Sequence, residues 1–193
     1  MRVPFFKPSI GEQELEAVAS CMRSGWLTTG QITRAFEDEI ARFLGAKHAV
    51  ALNSCTAALH LALAAAGIQR GDLVLVPTWT FAATAEVVVH LGATPVLVDS
   101  DARGLHLDVA HAARLCDTLT SGRAAPGVVF PAPPRAILPV HFAGEMCDVD
   151  GNSSADPRPS ATFFCATRRS GGLPGAADFM LESALINADR SRK

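Results

Sequence analysis

Leu15, Val18, Ala19 and Met22 recur at the spacing of one helix face, and Ser9-Ile10-Gly11-Glu12 before them reads as a capping box. A loop follows at Gly25-Trp26-Leu27-Thr28-Thr29-Gly30. A second helix is predicted from near Thr33, with Phe36, Ile40 and Phe43 on one face and Gly45 as its stop. From there the pattern alternates. Ala49–Leu52, Leu73–Val76, Pro95–Val98 and Ala136–His141 are short apolar runs that read as buried strands. Between them, Thr56–Ala66, Phe81–Leu91 and a segment from Asp108 to about Leu115 read as helices, the first two stopped by Gly67 and Gly92. Strands alternating with helices predict an α/β fold with a mainly parallel sheet and flanking helices.

Two stretches break this rhythm. Thr118–Pro134 is rich in Gly, Ala and Pro and reads as a surface insertion. From Gly151 onward the alternation stops. Of those 43 residues, 25 are Gly, Ser, Ala, Pro or Arg, and only Ala161–Cys165 and Phe179–Ile186 could bury much. The expected organisation is therefore an α/β domain over 1–150 and a poorly ordered tail over 151–193.

Composition narrows the function. The chain has 193 residues, enough for one domain, and a net charge of -2 with no basic cluster, which argues against nucleic acid as a partner. The N-terminus turns polar too early for a signal peptide. The apolar run Thr56–Gly67 is too short to span a bilayer, so a cytoplasmic protein is expected. Five scattered cysteines without a CxxC spacing read as reduced thiols, with neither a metal site nor a disulfide framework.

The chemistry is concentrated in Asn53-Ser54-Cys55-Thr56-Ala57-Ala58-Leu59-His60, between a predicted strand and a predicted helix. Ser54 can cap the helix. The amides of Cys55, Thr56 and Ala57 then face outward at the positive end of the helix dipole, an arrangement that binds phosphate, with the Thr56 hydroxyl as a further donor. The competing interpretation is a capped helix with no ligand. A thiol at a helix N-terminus can also act as a nucleophile, which leaves Cys55 open to that role.

Six segments in order resemble the DegT/DnrJ/EryC1/StrS family of sugar aminotransferases, which depend on pyridoxal 5'-phosphate (PLP). They are Lys7-Pro8-Ser9-Ile10, Gly25–Gly30, Asn53–His60, Val76-Pro77-Thr78-Trp79-Thr80-Phe81-Ala82-Ala83-Thr84, Leu91–Val96 and Pro139-Val140-His141-Phe142-Ala143-Gly144. The resemblance covers roughly residues 3–150. It implies the N-terminal part of a fold-type-I PLP-dependent transferase large domain. It further implies transfer of an amino group from an amino acid, glutamate, to a nucleotide-linked keto sugar, and a homodimer. Ser54, Cys55 and Thr56 fall where the family holds the cofactor phosphate, and Phe81 where an aromatic stacks on the pyridine ring. Trp26, Thr28 and Thr29 fall near the substrate. Cys55 stands where the family usually has glycine, and its side chain is expected to crowd the phosphate.

Such a transfer needs a lysine for the covalent link to the cofactor and a carboxylate against the pyridine nitrogen. The family carries these in an Asp-x-Ala-x-Ala-type and a Ser-Phe-x-x-x-Lys-type motif, and neither occurs here. The lysines are Lys7, Lys47 and Lys193, and no histidine follows His141. No catalytic residue is therefore assigned. The expectation is a truncated aminotransferase, inactive alone, whose family pattern ends near Asp150 as a frameshift would end it. The alternative is a non-catalytic binding or partner protein that keeps the phosphate cradle.

Overall fold

The computed structural model of the chain describes residues 8–44, 46–102, 105–121, 134–142 and 147, and the backbones of 162–169 and 180–187. These fall into two units, one ending at Asn53 and one beginning at Ser54.

In the first unit, α1 (Glu12–Ser24) is capped at Gly11, two residues after the predicted Ser9. The Gly11 N–H donates to the Glu14 carboxylate at 2.7 Å, so the box closes through Glu14 and not Glu12. Gly25 ends the helix in the left-handed region (φ +73°) and donates its N–H to Met22 O. Only a residue without Cβ takes that conformation cheaply. Then α2 (Gln31–Leu44) starts two residues earlier than expected, with the Arg34 N–H on Gly30 O at 3.0 Å. Its predicted stop, Gly45, lies outside the described residues. No residue of α1 is buried, and Leu15, Val18, Met22, Phe36 and Phe43 are all exposed.

The predicted strand Ala49–Leu52 does not form. Among the described residues it pairs with no other strand, and Val50 is exposed. The Ala51 N–H, which a ladder would use, donates to the Glu37 carboxylate at 2.8 Å. An apolar run becomes a strand only when a neighbour takes up its backbone groups, and here a side chain competes for one of them.

The second unit carries the sheet. Its elements are α3 (Cys55–Ala65), β1 (Leu73–Pro77), α4 (Ala83–His90), β2 (Thr94–Val98), α5 (Val109–Thr120), β3 (Ala136–Ile137), β4 (Val140–His141), β5 (Thr162–Arg169) and β6 (Met180–Asn187). The strand order is β2-β1-β3-β5-β4, with β6 on the other side of β5 as the antiparallel member; all other pairings are parallel. β3 and β4 share one register against β5, since Ile137 faces Thr162, Val140 faces Cys165 and His141 faces Ala166. They form a single line broken at Leu138-Pro139, where the proline has no N–H for the ladder. The predicted strand Ala136–His141 is thus present in two pieces.

β1 reads as a continuous apolar run because both of its faces are covered. Val74 and Val76 point into a cluster with Leu59 and Leu63 of α3 and Val87 and Val88 of α4. Leu75 points the other way, to Val98, Ile137, and Ala112 and Cys116 of α5. Fully burying such a side chain contributes roughly 1.5–3 kcal/mol, so these two layers hold the unit together. α5 is capped as predicted, Asp108 accepting the His111 N–H at 3.0 Å. It runs past the predicted Leu115 because Cys116 and Leu119 prolong its buried face. The helix takes the first residues of the expected insertion, and 122–133 lie outside the described residues.

Within 151–193, where the sequence predicts a poorly ordered tail, the structure describes β5 and β6 at the two apolar runs of that stretch. The remainder of it lies outside the described residues.

Candidate functional site

The Ser54 backbone is extended (φ -161°, ψ 157°), which places its hydroxyl oxygen over the first turn of α3, where it accepts the Ala57 N–H at 3.1 Å. This is the cap expected from the sequence. Since Ser54 Oγ accepts that bond, its own O–H proton is left to donate outward. The Cys55 and Thr56 amides belong to the first turn, whose N–H groups have no acceptor within the helix. The Ser54 and Thr56 side chains are exposed, so an anion can reach this turn from solvent.

Cys55 behaves differently from the expectation. Its side chain packs against the cluster containing Leu59 and Leu63. It therefore points toward the core, and the expected crowding of a phosphate is not what this rotamer produces. The position accepts a small apolar side chain because the helix lies over the sheet at that point.

α3 and α4 run the same way. Both end at the amino edge of the sheet, where the Gly71 N–H before β1 bonds to Gly92 O after α4 at 3.3 Å, and both pack on the same cluster. Their N-termini consequently lie at the carboxyl edge, where α/β sheets take their ligands. Phe81 sits at the α4 end of that edge and is 81% exposed. The second unit thus carries Ser54, Cys55, Thr56 and Phe81 on one edge, and the donor set and open aromatic face fit a phosphorylated aromatic ring.

Trp26, Thr28 and Thr29 belong to the first unit and are exposed. The Trp26 indole N–H donates to Thr29 O at 3.1 Å, and a Cβ at Gly30 would collide with the indole. The Gly25–Gly30 loop is therefore closed by its own tryptophan, and a side chain at its far end would have to displace the indole.

His141 is buried. Its Nδ1 accepts the Cys147 N–H at 3.1 Å and lies 3.0 Å from Cys147 Sγ. Burial, with nearby His106 adding to it, holds the imidazole below its ordinary pKa, which favours the neutral ring that accepts this bond. This supports a structural role for a histidine at a strand end. Asp99 and Asp101 shape the turn after β2: Asp99 Oδ1 accepts the Ser100 N–H, and the Asp101 N–H bonds to His106 O.

Trp79 and Phe142 have no individual role that their sequence context assigns. Their rings meet edge to face, with centroids 5.7 Å apart and planes at 80°, where the chain leaves β1 and β4. The available signal was a large aromatic just past the end of each of two predicted strands.

The parallel sheet and its flanking helices are those of the leading part of the large domain of a fold-type-I, PLP-dependent transferase. The DegT/DnrJ/EryC1/StrS aminotransferase family model matches residues 8–154, and the chain belongs to that family. It is 43% identical over 148 residues to the spore coat polysaccharide biosynthesis protein SpsC of Bacillus subtilis (strain 168), covering 77% of this chain and 34% of that protein. It is 42% identical, with the same coverage, to the UDP-4-amino-4-deoxy-L-arabinose–oxoglutarate aminotransferase of Shewanella sediminis (strain HAW-EB3). Among solved structures it superposes on Spr1654 of Streptococcus pneumoniae, assigned as a sugar aminotransferase and solved in PMP, PLP and apo forms. For the PMP form the TM-score is 0.69 and the identity 34%, over 80% of this chain and 36% of the other. An aminotransferase from Psychrobacter cryohalolentis gives a TM-score of 0.69 at 32% identity, over 84% of this chain and 38% of the other. The chain spans about a third of the length of the curated relatives it matches.

Proposed function

We propose that this chain is the cofactor-phosphate-binding part of a PLP-dependent aminotransferase that moves an amino group from an amino acid, glutamate, to a nucleotide-linked keto sugar. The observation that carries the reading is the exposed Phe81 ring at the same sheet edge as the Ser54-capped N-terminus of α3. PLP, when bound, supplies the electron sink and the amino carrier for this transfer. The Ser54 and Thr56 hydroxyls and the Cys55 and Thr56 amides hold the phosphate, and the Phe81 face supports the ring. By resemblance, Trp26, Thr28 and Thr29 are substrate contacts. A cytoplasmic homodimer belongs to the same reading, and light scattering tests the dimer. No helix among the described residues is long and apolar enough to cross a membrane.

Lys7, Lys47 and Lys193 match no lysine motif of the family, so we propose that the isolated 193-residue chain binds the cofactor without turnover. Charge-assisted hydrogen bonds contribute roughly 1.5–3 kcal/mol each. Less the cost of immobilising the ligand, a few of them give an affinity of about millimolar to tens of micromolar. Titration with pyridoxamine 5'-phosphate, which has no aldehyde to react with surface lysines, should show saturable binding. Inorganic phosphate should compete, and Thr56→Ala or Phe81→Ala should weaken binding about tenfold. Binding untouched by both substitutions would place the site elsewhere, and amino transfer by the isolated chain would refute its inactivity.

A further inference from the structure

The turn that leads from β1 to α4 is tied down at three consecutive residues. The Thr78 N–H donates to Val98 O at 2.9 Å, and its hydroxyl lies 3.4 Å from that of Ser100, both past or at the end of β2. The Trp79 ring stands edge to face on Phe142, which follows β4. The Thr80 hydroxyl pairs with the buried Thr84 hydroxyl of α4 at 2.8 Å. The next residue is Phe81, whose ring makes no aromatic contact among the described residues and is 81% exposed. Three residues are held to three different elements, and the fourth presents its ring to solvent.

A face that must bind a flat ring gains by being held still beforehand. Threonine hydroxyls fix the two sides of the turn. Among the described residues the Trp79–Phe142 pair fixes its middle, and it does so across two strands that are far apart in sequence. Both of its members remain partly open, 49% for Trp79 and 37% for Phe142, so the pair lies at the surface of the edge and not in the core.

We infer that Trp79 and Phe142 are positioning residues for ring binding: their edge-to-face contact sets the Thr78–Phe81 turn and with it the angle of the Phe81 face. The inference rests on the proposed cofactor site. It separates from that reading because the pair acts on the ring and leaves the phosphate turn of α3 untouched.

The test uses the full 193-residue chain and two probes, pyridoxamine 5'-phosphate and inorganic phosphate. An edge-to-face pair is worth about 0.5–1.5 kcal/mol beyond its buried area, so losing it should weaken pyridoxamine 5'-phosphate binding by about threefold to tenfold. Phe142→Leu keeps most of the volume and removes the ring, and Trp79→Ala removes the other partner. Both should show that loss with phosphate affinity unchanged, and Phe142→Tyr and Trp79→Phe should restore it. Unchanged pyridoxamine 5'-phosphate binding in Phe142→Leu and Trp79→Ala, while Phe81→Ala lowers it, overturns the inference and leaves the site standing. A parallel loss of both probes also overturns it, because the pair would then support the fold and not the ring. Absence of binding in the unmodified chain overturns the cofactor reading and this inference with it.

Discussion

In the unit that begins at Ser54, all five residues of β1 are buried and feed two apolar clusters, one on each face of the sheet. In the unit that ends at Asn53, α1 has the regular apolar spacing of a surface helix and buries none of its residues. Periodicity was equally clear in both. It marks the face that needs a cover, but only the presence of a second layer turns that face into a core. The β1 environment is complete within its own unit. The α1 face, with Leu15, Val18 and Met22, is covered by nothing among the described residues of its unit.

The strongest challenge to that contrast is a pair of truncations. Leu75→Ala, at a fully buried position between β2, β3 and α5, should cost about 2–5 kcal/mol in denaturant unfolding, and Leu15→Ala on the open face of α1 less than about 0.5. Similar losses for the two would mean that α1 is covered in solution, and the contrast would collapse.

Acid should act on the second unit through His141. Its pKa in the folded protein is depressed below 6.5 by burial, with His106 contributing, so the unfolded chain takes up the proton first. The stability that neutral His141 provides is therefore whole above about pH 6.5 and declines as the pH falls below it. The slope is at most about 1.4 kcal/mol per pH unit. Unfolding curves at pH 7.5 and 5.5 should diverge more for the unmodified chain than for His141→Gln, and equal divergence would remove His141 from the account.

Cys55 sharpens the comparison at the join between core and site. Because its side chain packs on the α3 cluster, Cys55→Gly should destabilise by roughly 1 kcal/mol or more, through helix propensity and lost packing, without tightening pyridoxamine 5'-phosphate binding. A clear gain in affinity would instead restore the view that the thiol crowds the phosphate. The smallest effect belongs to the surface of α1. Arg23 and Glu16 lie 2.8 Å apart with both side chains 69% exposed, and Arg23→Ala should move stability by no more than a few tenths of a kcal/mol. A larger change in a salt-titrated melt would show that this face is less open than the structure has it.

Elements whose cause is local were legible in the sequence. The caps at Ser54 and Asp108 and the stop at Gly67 follow from side chains and backbone freedom within a few residues, and each is present. The apolar runs at Leu73 and Pro95 followed because a strand covered on both faces, or lying beside one, leaves an unbroken signal. The identity of Ser54, Cys55, Thr56 and Phe81 as candidates came from ordered motifs, which composition alone would not supply. Whatever depends on a partner distant in sequence had to wait for the tertiary structure. Ala49–Leu52 has the composition of a strand and no ladder, since Glu37 takes the Ala51 N–H. The direction of the Cys55 side chain is decided by where α3 lies on the sheet. The contact between Trp79 and Phe142 exists only because β1 and the β3–β4 line run side by side, bringing two strand ends to one edge. Sequence records the chemistry each residue brings, whereas pairing across the sheet determines which residues meet.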